Sequence, residues 1–161
     1  MSRIKGLEGF VCYDEFWLRK DMENMGYIFE FCDVYCHNLY GVWINKVRFL
    51  DMFMRSRMRV LMEIGHPRFV SQAAETTLTT YIEEDFKNDL SRFRISEQQC
   101  GREFQFYWCG SVYAYIHFQT KLPSIDIVDT LPIGRLATQY YPTGHCMSIE
   151  GFYDRVKDMF K

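Results

Sequence analysis

Charge is missing from one long stretch of this 161-residue chain: from Phe104 to Thr120 there is no Asp, Glu, Lys or Arg. A segment of that length approaches the shortest membrane spans. Its Gln105, Ser111, His117 and Gln119 would be costly in lipid, so no membrane span is expected. An excess of either charge is missing as well. With 19 Lys and Arg against 21 Asp and Glu, the net charge is −2, too little positive field to draw the chain to nucleic acid or an anionic membrane. The opening residues Met1 to Glu8 lack the apolar core of a secretion signal, so export is not expected and the cytoplasm is the default location. No long run alternates with period two, which leaves room for one small hairpin at most. No phosphate-cradling loop and no nucleophile–base–orienter spacing occurs.

What is present is a large apolar inventory. Hydrophobic residues make up 48% of the chain, enough for one domain that buries a full core. The 28 aromatics (14 Phe, 11 Tyr, 3 Trp) and 9 Met exceed what a minimal core needs, and both classes are favoured at protein interfaces. Every strong segment has helical period. A first helix is expected from Asp14 to about Asn38, with Phe16, Met22, Met25, Phe29, Cys32 and Cys36 inward, Gly26 as a weak point and Gly41 as a left-handed cap. A second runs from Asn45 to Glu63 and stops at Gly65 and Pro67. A third repeats Val70, Ala73, Ala74, Thr77, Leu78, Tyr81 and Ile82, before a turn at Lys87-Asn88-Asp89 and a polar connection over 88–101. The uncharged helix spans about Glu103 to Thr120. Short helices follow: one over 125–131 capped by Ser124 with Ile125 and Val128 inward, and one opened by Pro132. A turn at Pro142-Thr143-Gly144 precedes a helix over 149–160 capped by Ser148, with Ile149, Phe152, Val156 and Phe160 on one face. The fold class is therefore all-α: an irregular orthogonal bundle of six to seven helices in a single domain, built around the uncharged aromatic helix.

Several clusters carry chemistry-bearing side chains. Cys32-x-x-x-Cys36-His37 has metal-ligand types, but a structural zinc needs four ligands and no second closely spaced pair exists among Cys12, Cys100, Cys109, His145 and Cys146. Reduced core thiols, with no metal and no cofactor, are the expectation. His145-Cys146 sits just before the Ser148 cap, where a thiolate nucleophile would need a partner base; a turn is the plainer reading. His66, between Gly65 and Pro67-Arg68, is either a general base or part of a stiff turn. Glu83, Glu84, Asp85 and Asp89 form an acidic cluster at a helix C-terminus, read as a solvated face, a cation site or a patch for a basic partner. Lys46, Arg48, Arg55, Arg57 and Arg59 make the second helix basic, with Arg48, Arg55 and Arg59 at i, i+7 and i+11 on one face. That face suits an anion, or pairing with Asp51, Glu63 or the acidic cluster.

Three segments together carry a resemblance: Ser71 through Phe93 with its Thr-rich helix, Phe106-Tyr-Trp-Cys-Gly-Ser-Val-Tyr-Ala-Tyr115 with Leu122-Pro-Ser-Ile-Asp-Ile-Val128, and Tyr140…His145…Ser148. Over roughly residues 67–156 the chain resembles small bacterial antitoxins encoded beside toxin genes. The resemblance implies no catalytic residue. It implies a cognate toxin from a neighbouring gene as partner, neutralised by occlusion, through a few aromatic and Arg anchors. The expected partner-binding residues are Arg48, Arg55 and Arg59 of the basic helix with Trp108 and Tyr113 of the aromatic helix. Arg55 and Arg59 are expected to block an anionic ligand of the partner or pair with its carboxylates. Self-association stays open. So do two other readings: a small helical enzyme using His66, His145 or Cys146, and a nucleic-acid binder reading through the basic helix.

Overall fold

The structure is a computed structural model that describes residues 15–65, 72–99 and 101–161. Among them are seven α-helices of seven residues or more and a single two-stranded pairing, so the fold is all-α as expected. Helix α1 (Glu15–Tyr40) buries the helically spaced Met25, Ile28, Phe29, Cys32 and Cys36. Its fully buried stripe starts at Met25, with Met22 partly buried against the core, and Phe16, expected inside, is 67% exposed. Gly41 ends the helix at φ +70°, returning its N–H to the His37 carbonyl at 3.0 Å. Strand β1 (Trp43–Ile44) then pairs antiparallel with β2 (Arg94–Ile95), with Trp43 opposite Ile95. The two strands are distant in sequence, so this is a clasp between segments and not a hairpin.

The second expected helix is two helices. Helix α2 (Lys46–Met54) starts at the Asn45 cap and α3 (Arg57–Glu63) starts at Ser56. Ser56 adopts an extended backbone, accepts the Arg59 N–H on Oγ at 3.1 Å and donates to the Phe53 carbonyl at 2.6 Å. A short hydroxyl side chain that satisfies the backbone locally competes with a continuous helix, and here it wins. Helix α3 stops at Gly65, φ +69°. Val70 and Ser71 lie outside the described residues, and the third helix, α4 (Ala74–Phe86), buries Ala74, Thr77, Leu78, Tyr81 and Ile82. Lys87 and Asn88 both take the left-handed conformation and end it. The connection after them is not simply polar: a 3-10 turn (Ser91–Phe93) drives Phe93 into a T-shaped aromatic knot with Phe49 and Phe86.

Helix α5 (Gln105–Thr120) is the uncharged helix, and Cys109 through His117 are all buried. Helix α1 lies along it most extensively. Helices α6 (Ser124–Thr130), α8 (Tyr141–Gly144) and α9 (Ile149–Val156) and the π-helical turn at Leu136–Tyr140 cover its other sides. A helix enclosed this way has no solvated face on which to place a charge. The crossing with α1 is a contact between backbones. A Cβ on Gly110 would overlap the Met25 carbonyl, and one on Gly26 would sit 2.8 Å from the Tyr107 ring. Gly26, read as a helix weakness, is thus what lets the two long helices meet. Ser111 Oγ donates to the Met22 carbonyl at 3.1 Å across the same crossing. At the N-terminus of α5 the Glu30 carboxylate accepts the N–H groups of Phe104, Phe106 and Tyr107, each at 3.2 Å, so a side chain of α1 caps α5 from outside.

The short C-terminal elements follow the expected order with four differences, the last being that the helix expected over 149–160 ends at Val156 and gives way to a 3-10 turn over Lys157–Phe160. Ser124 is the first residue of α6 and not its cap, because its hydroxyl is used elsewhere. Ile127 and Val128 face inward while Ile125 is 42% exposed. Pro142 to Gly144 is helical, since Pro fits a helix's first turn. Pro132 precedes α7 (Ile133–Arg135), and Ser148 caps α9 as expected, accepting the Gly151 N–H at 3.0 Å. Replacing Gly110 with Ala forces the α1–α5 backbones apart. Urea unfolding of Gly110→Ala is expected to show a loss of roughly 3 kcal/mol or more, at the upper end of overpacking effects.

Candidate functional site

The basic face drawn from i, i+7 and i+11 does not exist, because the break at Ser56 reorients α3. Arg59 is 0% exposed. Its Nη1 and Nη2 donate to the two Asp21 oxygens at 2.8 and 3.0 Å in a fork-to-fork pair. Its Nε donates to Ser124 Oγ at 3.1 Å and lies 3.3 Å from Glu63 Oε1. Glu63 Oε1 also accepts the Ser124 N–H at 2.9 Å. Burial alone would lower the guanidinium's pKa; Asp21 and Glu63 outweigh it and hold the group above its ordinary value. Arg59 is therefore an internal clamp joining α1, α3 and α6, and not a partner contact. His117 flanks the cluster, with Nδ1 3.7 Å from Glu63 Oε2. That nitrogen is 2.7 Å from the Leu122 carbonyl, which can only accept, so Nδ1 carries the proton. Nε2 is left buried without a hydrogen-bond partner among the described residues.

The other expected anchors divide in the same way. Tyr113 is wholly buried and donates its hydroxyl to the Leu131 carbonyl; burial pushes its pKa well above the ordinary value. Trp108 is half-buried, packed edge-on to Tyr141 and Phe152 and against Gly144, its indole N–H enclosed without a partner among the described residues. Tyr113 has no surface to offer a partner, and Trp108 keeps only part of its ring exposed. Each packs into the core because the middle of α5, Cys109 through His117, is enclosed by other elements. Lys46 is also internal: its Nζ donates to the Glu30 carbonyl at 2.7 Å, 3.8 Å from Asp33 Oδ1 and 4.4 Å over the Phe106 ring. It closes one wall of a cavity of about 160 Å³. Arg55 is at the surface but bridges Asp51 at 3.0 Å and Asp129 at 2.7 Å.

His145 and Cys146 do not form an aligned thiol–imidazole hydrogen bond. The imidazole stacks on Tyr141 at 4.2 Å and its Nδ1 is 2.6 Å from the Tyr141 carbonyl. Cys146 Sγ lies 3.9 Å from Nδ1 and 3.8 Å from Nε2. Near-equal distances put the sulfur off the in-plane axis of either nitrogen, so the pair is not aligned for proton transfer in this structure. His66, Cys12 and Cys100 lie outside the described residues. Cys32, Cys36 and Cys109 are buried core thiols, His37 stacks on Trp43, and no group of three metal-ligating side chains occurs among the described residues. Glu83, Glu84, Asp85 and Asp89 are all exposed. Burial, then the Glu84 charge, raises the Asp85 pKa, whereas the Ser91 backbone amide lowers that of Asp89.

Once these groups are placed, one concave surface retains unspent chemistry. A groove of about 360 Å³ runs between α2, the 3-10 turn and the α6–α7 corner. Val47 and Met52 contribute apolar surface above the buried Phe93 and Ile133, and Arg48 and Arg92 also line it. Met52 is 38% exposed. Arg92 lies 3.9 Å from the Met52 sulfur, with its guanidinium carbon 5.9 Å from both the Phe86 and Phe93 rings. Neither Arg48 nor Arg92 has an ion-pair partner among the described residues. Asp51 lines the same wall but is already held by Arg55. Of the expected anchors, only Arg48 belongs to this groove. Arg92 lay in the connection read as polar, and its only sequence signal was its position beside the buried Phe93.

No protein-family model, no curated protein and no solved structure matches this chain. Among the described residues no helix is long and apolar enough to cross a membrane.

Two measurements separate the interior groups from the surface ones. Arg59→Met leaves Glu63 buried without its cation and is expected to cost about 3–5 kcal/mol in urea unfolding, whereas Arg55→Ala costs about 1 kcal/mol or less. Thiol alkylation mapped by mass spectrometry is expected to label Cys146 rapidly and Cys32, Cys36 and Cys109 only on global unfolding. Burial raises Cys36 from about 9.0 to about 12. The folded state therefore keeps a proton that the unfolded chain releases, and the stability this gives below pH 9 is lost as pH rises towards 12.

Proposed function

We propose that the chain is a protein-binding module of the antitoxin type, which neutralises a partner polypeptide by lying on it and makes or breaks no bond. The observation that carries this reading is how the cations are allotted. Arg59, Lys46 and Arg55 are used in ion pairs within the molecule, while Arg48 and Arg92 are exposed beside a groove with an apolar wall and have no ion-pair partner among the described residues. A cation pair flanking apolar surface with an exposed Met is a surface suited to another polypeptide. The likeness of residues 67–156 to bacterial antitoxins supports the same reading. Most of that span forms α4 to α9, and its 3-10 turn and α6–α7 corner supply two of the groove's three walls. The partner on this reading is the toxin encoded by a neighbouring gene, bound in the cytoplasm. The misalignment of His145 and Cys146 speaks against a hydrolytic reading centred on them.

Co-expression of the chain with the product of its neighbouring gene tests the reading. A stoichiometric complex that survives gel filtration, together with relief of that product's growth inhibition, is the expected result. A neighbouring product that is harmless alone and is not captured overturns it.

A further inference from the structure

We infer that the groove between α2, the 3-10 turn and the α6–α7 corner takes a carboxylate-bearing apolar segment of the partner, with the carboxylate held by Arg48 and Arg92 and the adjacent apolar side chain seated on Val47 and Met52. This rests on the reading of the chain as a polypeptide-binding module, and it names the chemistry recognised. Arg guanidinium groups match a carboxylate in two-pronged geometry. Two cations are enough for one or two carboxylates. They are too few for a nucleic-acid backbone, which is gripped by an extended positive field, and the net charge of −2 supplies none. The apolar floor finds no use in a purely ionic ligand. A segment alternating acidic and apolar side chains satisfies both halves of the surface.

Gly134 is what leaves the groove open. Its backbone is not in the left-handed region, and a Cβ there would meet only Val47 Cγ1, at 3.9 Å, an ordinary contact. A larger side chain therefore fits the backbone and occupies the groove. Gly134→Leu is a plug that leaves the core untouched, and Arg48→Glu with Arg92→Glu reverses the charge at the rim.

The test uses the full chain and two capped peptides, one with a Glu-Leu-Glu-Phe core and one with Lys in place of each Glu, followed by heteronuclear NMR titration. The acidic peptide is expected to bind saturably, with shifts confined to the groove; the Lys peptide is not. Gly134→Leu and the double charge reversal are each expected to weaken binding at least roughly tenfold, the scale of a central anchor, with the melting temperature of Gly134→Leu unchanged or raised. The inference is overturned if the acidic peptide does not bind, or if its binding is indifferent to both variants. It is also overturned if a short single-stranded oligonucleotide occupies the same groove more tightly, or if the shifts arise from self-association seen by sedimentation. A toxin complex that forms undiminished with Gly134→Leu sinks the groove and spares the antitoxin reading. Peptide binding without capture of the neighbouring product does the reverse.

Discussion

The close approach of two backbones, α1 against α5 at Gly26 and Gly110, is the constraint on which the rest of the architecture depends. It brings the helices near enough for Ser111 to reach the Met22 carbonyl and for Glu30 to cap the far helix's amides. An uncharged helix is stable in the middle of a protein only when each of its polar groups finds a partner there. Gln105 reaches the Ala137 carbonyl, Tyr113 the Leu131 carbonyl and His117 the Leu122 carbonyl. Each partner belongs to an element that packs on α5 or leaves it, so the hydrogen bonds and the packing enforce the same arrangement. The exceptions are the enclosed Trp108 indole N–H and His117 Nε2, for which the structure offers no compensating contact among the described residues.

The second organising feature is a buried guanidinium. A charge with no exposed surface is tolerable only when its donors are filled, and Arg59 fills them with Asp21, Glu63 and Ser124 from three different helices. This cluster ties the N-terminal helix to the short C-terminal elements. It also explains why Ser124 does not cap its own helix. The same chain thus has a rigid interior held by charge and a groove wall held by the Arg55–Asp51 and Arg55–Asp129 bridges.

The groove is a consequence of where loops meet helices. Leu90 and Phe93 anchor the 3-10 turn in the core, and the turn then projects Arg92 beside Met52 of α2. Pro132 and Gly134 keep the α6–α7 corner slim, so a channel remains between corner and helix. Binding surfaces built from segments of low side-chain bulk around two cations occur where specificity is to be set by charge geometry as well as by area.

The sequence by itself determined the helical class, the interior position of the charge-free helix, and most of the stops and caps: Gly41, Gly65, the Lys87-Asn88 turn and Ser148 all act as their local chemistry requires. These are legible because they depend on a few neighbouring residues and on a period of 3.6. The break at Ser56 was legible only as a lone hydroxyl within an otherwise apolar-periodic stretch, and the exposure of Phe16 and Ile125 was not legible at all. Tertiary structure alone decided which arginines face water. Burial of Arg59 depends on Asp21 and Ser124, far away in the chain, and the presence of Arg92 and Arg48 on one groove depends on the 3-10 turn lying beside α2. Spacing along a helix fixes the direction in which a side chain points; whether that direction ends in solvent, in a carboxylate or in a groove depends on contacts between segments that no local pattern encodes.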